Sequence, residues 1–297
     1  MRLSTSTNLM DRFQKAQGAV SMRECLERCF QAGYRVMDMN FHDMSNPGMP
    51  MSGDGWKDWL SRIRELAGSL GLEFSQAHAY FYHFCNPRIA DREWREELIT
   101  RSFVGAGTLG IPWMVMHAST WKETGFSFRI SREKNLEQFK HWLELAHRYQ
   151  VGIAIENLYD PLDTFSRTYS SAPEELIDLV DSLDDELVGI CWDFGHGNLS
   201  ATDQNESLRL VGSRLKALHV NDNDKLKDRH LLPFYGEIDW PPLMRTLREI
   251  GYQNDLTFEC TPFLDRVPPA LRQKALEHTV EVGEYLIRLV QGEDKSL

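Results

Sequence analysis

Short apolar runs alternate with longer amphipathic ones along almost the whole chain. After an opening "MRLSTSTN", the runs "YRVMDMNF", "LEFSQAHAY", "WMVMHAS", "VGIAIEN", "LVGICWDFG", "LKALHVND" and "DLTFEC" read as strands. Between them, "SMRECLERCFQAG", "WKDWLSRIRELAGSLG", "REWREELITRSFVGAGTLG", "REKNLEQFKHWLELAHRYQ", "APEELIDLVDSL", "NESLRLVG" and "DWPPLMRTLREIG" carry apolar residues at helical spacing. A last helix covers about residues 267 to 291. Mostly apolar strands alternating with helices indicate parallel βαβ units, and no Pro/Gly/Ser-rich linker divides them. Eight such pairs in 297 residues suit an α/β fold of one kind, a single-domain (β/α)8 TIM barrel over residues 1–297 closed by the last helix. An open doubly wound sheet is disfavoured, because no GxGxxG follows the first strand.

Composition narrows the function. Acidic residues outnumber basic ones by 44 to 33, a net charge of -11, so the surface repels a phosphate backbone and no nucleic acid is expected as partner. The five cysteines are odd in number and lack CxxC spacing, as in a reducing compartment. The N-terminus has no apolar signal region and no apolar run reaches membrane-span length, so a cytoplasmic protein without membrane attachment is expected. The final helix has enough apolar positions to pack on its own barrel or on a second copy, which leaves a homo-oligomer open.

The chemistry lies at the ends of the strands, where Asn40, His78, His117, Glu156, Asp193, His219 and Glu259 recur about once per βα unit. Taken singly, a polar strand end is more often a cap or a surface group. In a parallel barrel, however, all C-terminal strand ends open onto one face, so these side chains converge. Three carboxylates crowded together at neutral pH repel unless a cation joins them. Glu156, Asp193, His219 and Glu259 form a mixed N/O set that suits a divalent metal, Mn²⁺, Mg²⁺, Co²⁺ or Zn²⁺. His196 follows Asp193 between two glycines, and a polar loop after His219 carries Asp228, Arg229 and His230, which can point at the same site as ligands or substrate contacts.

The motifs "IAIEN", "WDFGHGN", "HVNDND…DRHLLPFYGEIDW" and "TFEC" together resemble the sugar isomerase/epimerase group of the xylose-isomerase-like barrels. This resemblance implies one catalytic metal held by Glu156, Asp193, His219 and Glu259, with the two glutamates as the acid/base pair on either side of a sugar and His196 on substrate oxygens. "SQAHAYF", "VMHAS" and "DRH" also look like the additional ligand positions of the related AP endonuclease family 2 of DNA repair. That likeness implies His78, His117 and Glu156 as one further site and His196, Asp228 and His230 as another, and keeps open a multinuclear metal-dependent hydrolase or lyase.

The expected activity is proton transfer through an enediolate on an unphosphorylated carbohydrate, a cyclitol or a related keto-sugar, with Glu156 and Glu259 as acid and base. Trp113 and Tyr80, with Phe81 and other aromatics nearby, are the expected ring-stacking contacts, and Arg229 a polar one. Phosphate recognition has only Arg229 and Arg266 to offer in the loops after strands seven and eight. The Met-rich stretch 43–56 follows no helical period and reads as a mobile lid.

Overall fold

Side-chain alternation along eight parallel strands decides which residues share the interior of this molecule. The computed structural model describes residues 1–9, 21–160, 166–261, 263–265 and 267–293. The strands are β1 (Leu3–Ser6), β2 (Val36–Asn40), β3 (Glu73–His78), β4 (Trp113–His117), β5 (Gly152–Glu156), β6 (Val188–Asp193), β7 (Leu215–His219) and β8 (Leu256–Phe258). From β1 to β7 each strand pairs in parallel with its neighbour in sequence, β1 also pairs with β8, and β8 meets the end of β7 through a single bridge between Val220 and Phe258. The ring closes where Val220 N–H donates to the Thr257 carbonyl (2.8 Å) and Glu259 N–H to the Val220 carbonyl (3.2 Å). This is the (β/α)8 TIM barrel expected from the alternating pattern.

The surrounding helices are α1 (Met22–Ala32), α2 (Phe41–Met44), α3 (Trp56–Leu70), α4 (Arg92–Leu109), α5 (Phe128–Tyr149), α6 (Pro173–Leu183), α7 (Phe194–Leu199), α8 (Gln204–Val211), α9 (Trp240–Glu249) and α10 (Arg272–Gln291). Their inward stripes follow the helical period. In α3, Trp56, Leu60, Ile63, Leu66 and Ala67 are buried, and Gly71 ends the helix at φ 70°, a left-handed conformation that glycine adopts without steric cost. Helix α5 begins at Phe128, earlier than its periodicity indicates, because the Ser127 hydroxyl caps the Ile130 N–H. No helix among the described residues is long and apolar enough to cross a membrane.

Two strands stop short of their apolar runs for the same reason. Asn40 accepts from the Asp43 N–H and Asp193 from the His196 N–H, so each strand's last residue caps a short helix, α2 and α7. The stretch 43–56, expected as a lid, is packed down in this structure, with Asp43 and Asn46 lining the cavity at the barrel mouth. It buries Met44 and Met51, and the Met51 and Gly53 carbonyls accept from the Arg101 guanidinium on α4 (2.9 and 3.2 Å).

In-register pairing stacks the interior in layers. The pairs Trp113–Gly152, Val115–Ala154 and His117–Glu156 lie side by side on β4 and β5. The middle layer contains the buried cluster Val115, Ala154, Cys191 and Ala217. Trp113 lies at the N-terminal end of β4 and fills the bottom of the barrel, so it cannot contact a substrate at the opposite mouth. Gly152 makes room for it: a Cβ there would lie 2.4 Å from the indole. Gly152→Ala is therefore expected to cost about 1–3 kcal/mol through overpacking, read as a lower denaturant midpoint. An unchanged midpoint would show that the indole moves aside freely.

Candidate metal centre and active site

The top layer brings the strand-end residues together. His219 Nδ1 lies 2.6 Å from Glu156 Oε1 and 3.3 Å from Glu259 Oε2, so one ring sits between both glutamates. Glu156, Asp193, His219 and Glu259 each offer a ligand atom, all within 4.8 Å of one another. The same spacing holds for His78, His117 and Glu156, and for His196, Asp228 and His230. His117 Nε2 lies 2.6 Å from Glu156 Oε2, and Asp228 Oδ2 is 3.5 Å from His196 Nε2 and 3.1 Å from His230 Nε2. Cys191 comes equally close to Glu156 and His219, but burial holds its thiol well above the usual range, which leaves it a core residue.

The glycines around His196 have a steric cause. A Cβ on Gly195 would lie 2.0 Å from Asn221 Oδ1, and one on Gly197 would lie 2.6 Å from Gln204 Oε1. Those neighbours position the site. The Asn221 amide donates to Asp193 Oδ2 (2.7 Å), and the Asn157 side chain accepts the Asp193 N–H (2.6 Å) while donating to the Asp193 carbonyl (2.9 Å). Asp222, fully buried, accepts from the N–H groups of Phe234 and Ile238 (both 3.1 Å) and from the Trp240 indole (2.9 Å). It thereby anchors the loop that carries Asp228 and His230.

The electrostatics favour a cation. Glu156, Asp193 and Glu259 are all buried. Burial pushes the Asp193 carboxyl up to about 6. Burial opposes ionisation of Glu156 too, but the His219 and His117 imidazoles outweigh it and hold that carboxyl well below the usual range. Beyond its 2.6 Å contact with His117 Nε2, Glu156 Oε2 has no hydrogen-bond donor among the described residues, and Asp228 Oδ1 has none either. Clustered buried carboxylates with orphaned oxygens, interleaved with imidazoles, fit a divalent metal: it compensates the charge and gives those oxygens a partner.

A cavity of about 500 Å³ opens over this cluster, and Glu156, Glu259, His78, His117, His196, Asp228 and His230 all line it. Two expected contacts do not. The Tyr80 hydroxyl is engaged by Arg95 (2.7 Å), and Arg229 pairs with Asp224 on the loop surface. Phe81, the next residue after Tyr80, lines the cavity in its place. Arg266 lies outside the described residues. His42 is a wall residue that the sequence pattern did not disclose. Its ring stacks on Phe81 with centroids 3.9 Å apart, and its Nδ1 accepts the Phe81 N–H (3.4 Å). Burial, then the nearby His78 and His117, push the His42 imidazole down to about 3, so it is neutral and carries its proton on Nε2.

Comparison with known proteins agrees with this architecture. Residues 26–281 match the model of the xylose isomerase-like TIM barrels. An uncharacterised Sinorhizobium fredii protein, y4fM, is 30% identical over 70% of this chain, which spans only 64% of that relative's length. A probable endonuclease 4 of Acholeplasma laidlawii is 26% identical over 71% of the chain and 75% of its own length, and a D-psicose 3-epimerase of Enterocloster bolteae is 33% identical over 31% and 28%. Among solved structures, a D-tagatose 3-epimerase-like protein superposes with a TM-score of 0.74 at 18% identity, covering 99% of both chains.

Proposed function

Because the chain belongs to the xylose isomerase-like TIM barrel family, we propose that its rim cluster binds a divalent metal and isomerises or epimerises a carbohydrate or a related keto-sugar. The observation that carries this reading is the placement of Glu156 and Glu259 on one cavity, with His219 between them. Glu156, Asp193, His219 and Glu259 would hold the metal, which when bound supplies polarisation of a carbonyl and stabilisation of negative charge on its oxygen.

The protein's own residues do the rest. One glutamate takes a proton from the carbon next to the carbonyl and the other returns one, so that a planar intermediate is re-protonated on a chosen face. His196 and the Nε2–H of neutral His42 hold substrate hydroxyls, and Phe81 offers an apolar face to the ring. The relatives named as D-psicose 3-epimerase and D-tagatose 3-epimerase-like support a sugar as the substrate class.

The test is isotope exchange. The Mn²⁺-loaded protein, incubated in D₂O with a panel of ketoses, aldoses and inososes, is expected to incorporate deuterium next to the carbonyl of at least one of them, seen by NMR. Absence of exchange across the panel overturns the reading.

A second reading has its own observation. The three ligand clusters, two of them sharing Glu156, and the likeness to a probable endonuclease 4 favour multinuclear hydrolysis or lysis of a phosphodiester. Elemental analysis and a DNA cleavage assay separate the two: three metals per chain with strand cleavage selects the second, one metal with deuterium exchange the first.

A further inference from the structure

The middle layer of the barrel is chemically divided. Towards β4–β7 it consists of Val115, Ala154, Cys191 and Ala217, whereas on β2, β3 and β8 it contains the buried polar residues Asp38, Gln76 and Thr257. Asp38 stands out. It pairs in register with Gln76 and with Ser6 of β1, two residues below the rim position of Asn40, and is 0% exposed. Its Oδ2 accepts from the Gln76 amide (2.8 Å), and its Oδ1 has no hydrogen-bond donor among the described residues. Among the described residues no Lys or Arg pairs with it. The nearest imidazole is His219, whose Nε2 lies 3.9 Å from Asp38 Oδ2. The Gln76 amide also reaches the Leu218 carbonyl (3.3 Å), which ties this carboxylate to the strand that presents His219.

A carboxylate buried with one neutral donor costs several kcal/mol unless positive charge compensates it. Among the described residues, the group facing its Oδ2 from the metal cluster is the His219 imidazole, at 3.9 Å, and a cation held on the far side of that ring would supply the compensating charge. The His219 ring has its Nδ1 towards Glu156 and Glu259 and its Nε2 towards Asp38, so it lies between the ligand cluster and a buried anion. Histidines that bind metals through one nitrogen are commonly oriented through the other by a carboxylate, and loss of that partner weakens metal binding.

We propose that Asp38 is a positioning residue for the metal centre: it holds His219 from beneath through Nε2 and raises the site's affinity for a divalent cation without touching the substrate. This rests on the metal-binding reading above. Gln76, in turn, fixes Asp38.

Asp38→Asn tests it, because Asn keeps an acceptor for Gln76 and removes the charge. Calorimetric titration of Mn²⁺ into the metal-free full-length protein is expected to show about 10- to 100-fold weaker binding in the variant. The metal-free variant is expected to melt at the wild-type temperature or higher, since a buried charge has been removed. A purely structural Asp38 gives the opposite pair, a lower melting temperature and unchanged affinity, and that overturns the proposal. If Asp38→Asn does not fold, Gln76→Met frees the carboxylate instead, and its Mn²⁺ affinity must also fall for the proposal to stand. Wild-type protein that takes up no Mn²⁺ refutes the metal-binding reading itself; tight wild-type binding with an unaltered variant refutes only the role of Asp38.

Discussion

Glu259→Gln is expected to lower kcat by about 10²- to 10⁴-fold at saturating metal, the range that a positioned acid or base contributes. The side chain leaves β8 just after Phe258, is 8% exposed and lines the cavity, so the amide fits the same space. What it loses is the ability to take or return a proton. It also exchanges an anionic ligand for a neutral one, so metal affinity must be measured in parallel and the cation raised until the site is full. The variant should fold normally, because the Glu259 N–H contact that helps close the barrel is made by the backbone. Turnover within about threefold of wild type under those conditions removes Glu259 from the chemistry, since even a modest acid/base contribution exceeds that margin.

Stripping the metal is expected to abolish turnover and to soften the fold. A ligand that binds only the folded state at a hundred times its dissociation constant adds about 2.7 kcal/mol of stability, which corresponds to roughly 5–10 °C in melting temperature for a domain of this size. The direction follows from the cluster: without the ion, three buried carboxylates crowd together among imidazoles and a few neutral donors, and Asp193 is already pushed up to about 6 by burial. Re-addition of Mn²⁺ should restore both activity and melting temperature. Full activity in the presence of a strong chelator, with an unchanged melting curve, contradicts the assignment of the rim as a metal site.

The rim was legible in the sequence because strands β3 to β7 end on side chains that meet at the mouth, and Glu259 follows β8 directly. His117, Glu156 and Asp193 are polar interruptions at the ends of apolar runs, and barrel topology alone brings them together. The misses have equally local causes. Trp113 shares the inward parity of His117 but stands four residues earlier, at the bottom, so its aromatic character said nothing about the mouth. Choosing between Tyr80 and Phe81 depends on the turn after β3, which composition does not encode. His42 was hidden because Asn40 ends β2 as a helix cap and turns the chain back over the cavity. Asp38 lies inside an apolar strand, where a single carboxylate signals function only once His219 is seen above it.

Isothermal titration of Mn²⁺ into chelator-treated protein, with Asp193→Ala titrated alongside, is the most direct measurement of whether these far-separated side chains grip an ion. Asp193 is buried, caps α7 through the His196 N–H and accepts from the Asn221 amide, so the melting curve of the variant is recorded alongside its affinity to separate loss of the ligand from loss of the cap. Saturable binding to the wild type that weakens by at least about tenfold in the variant is the expected result. Equal binding by both proteins, or none by either, would contradict it.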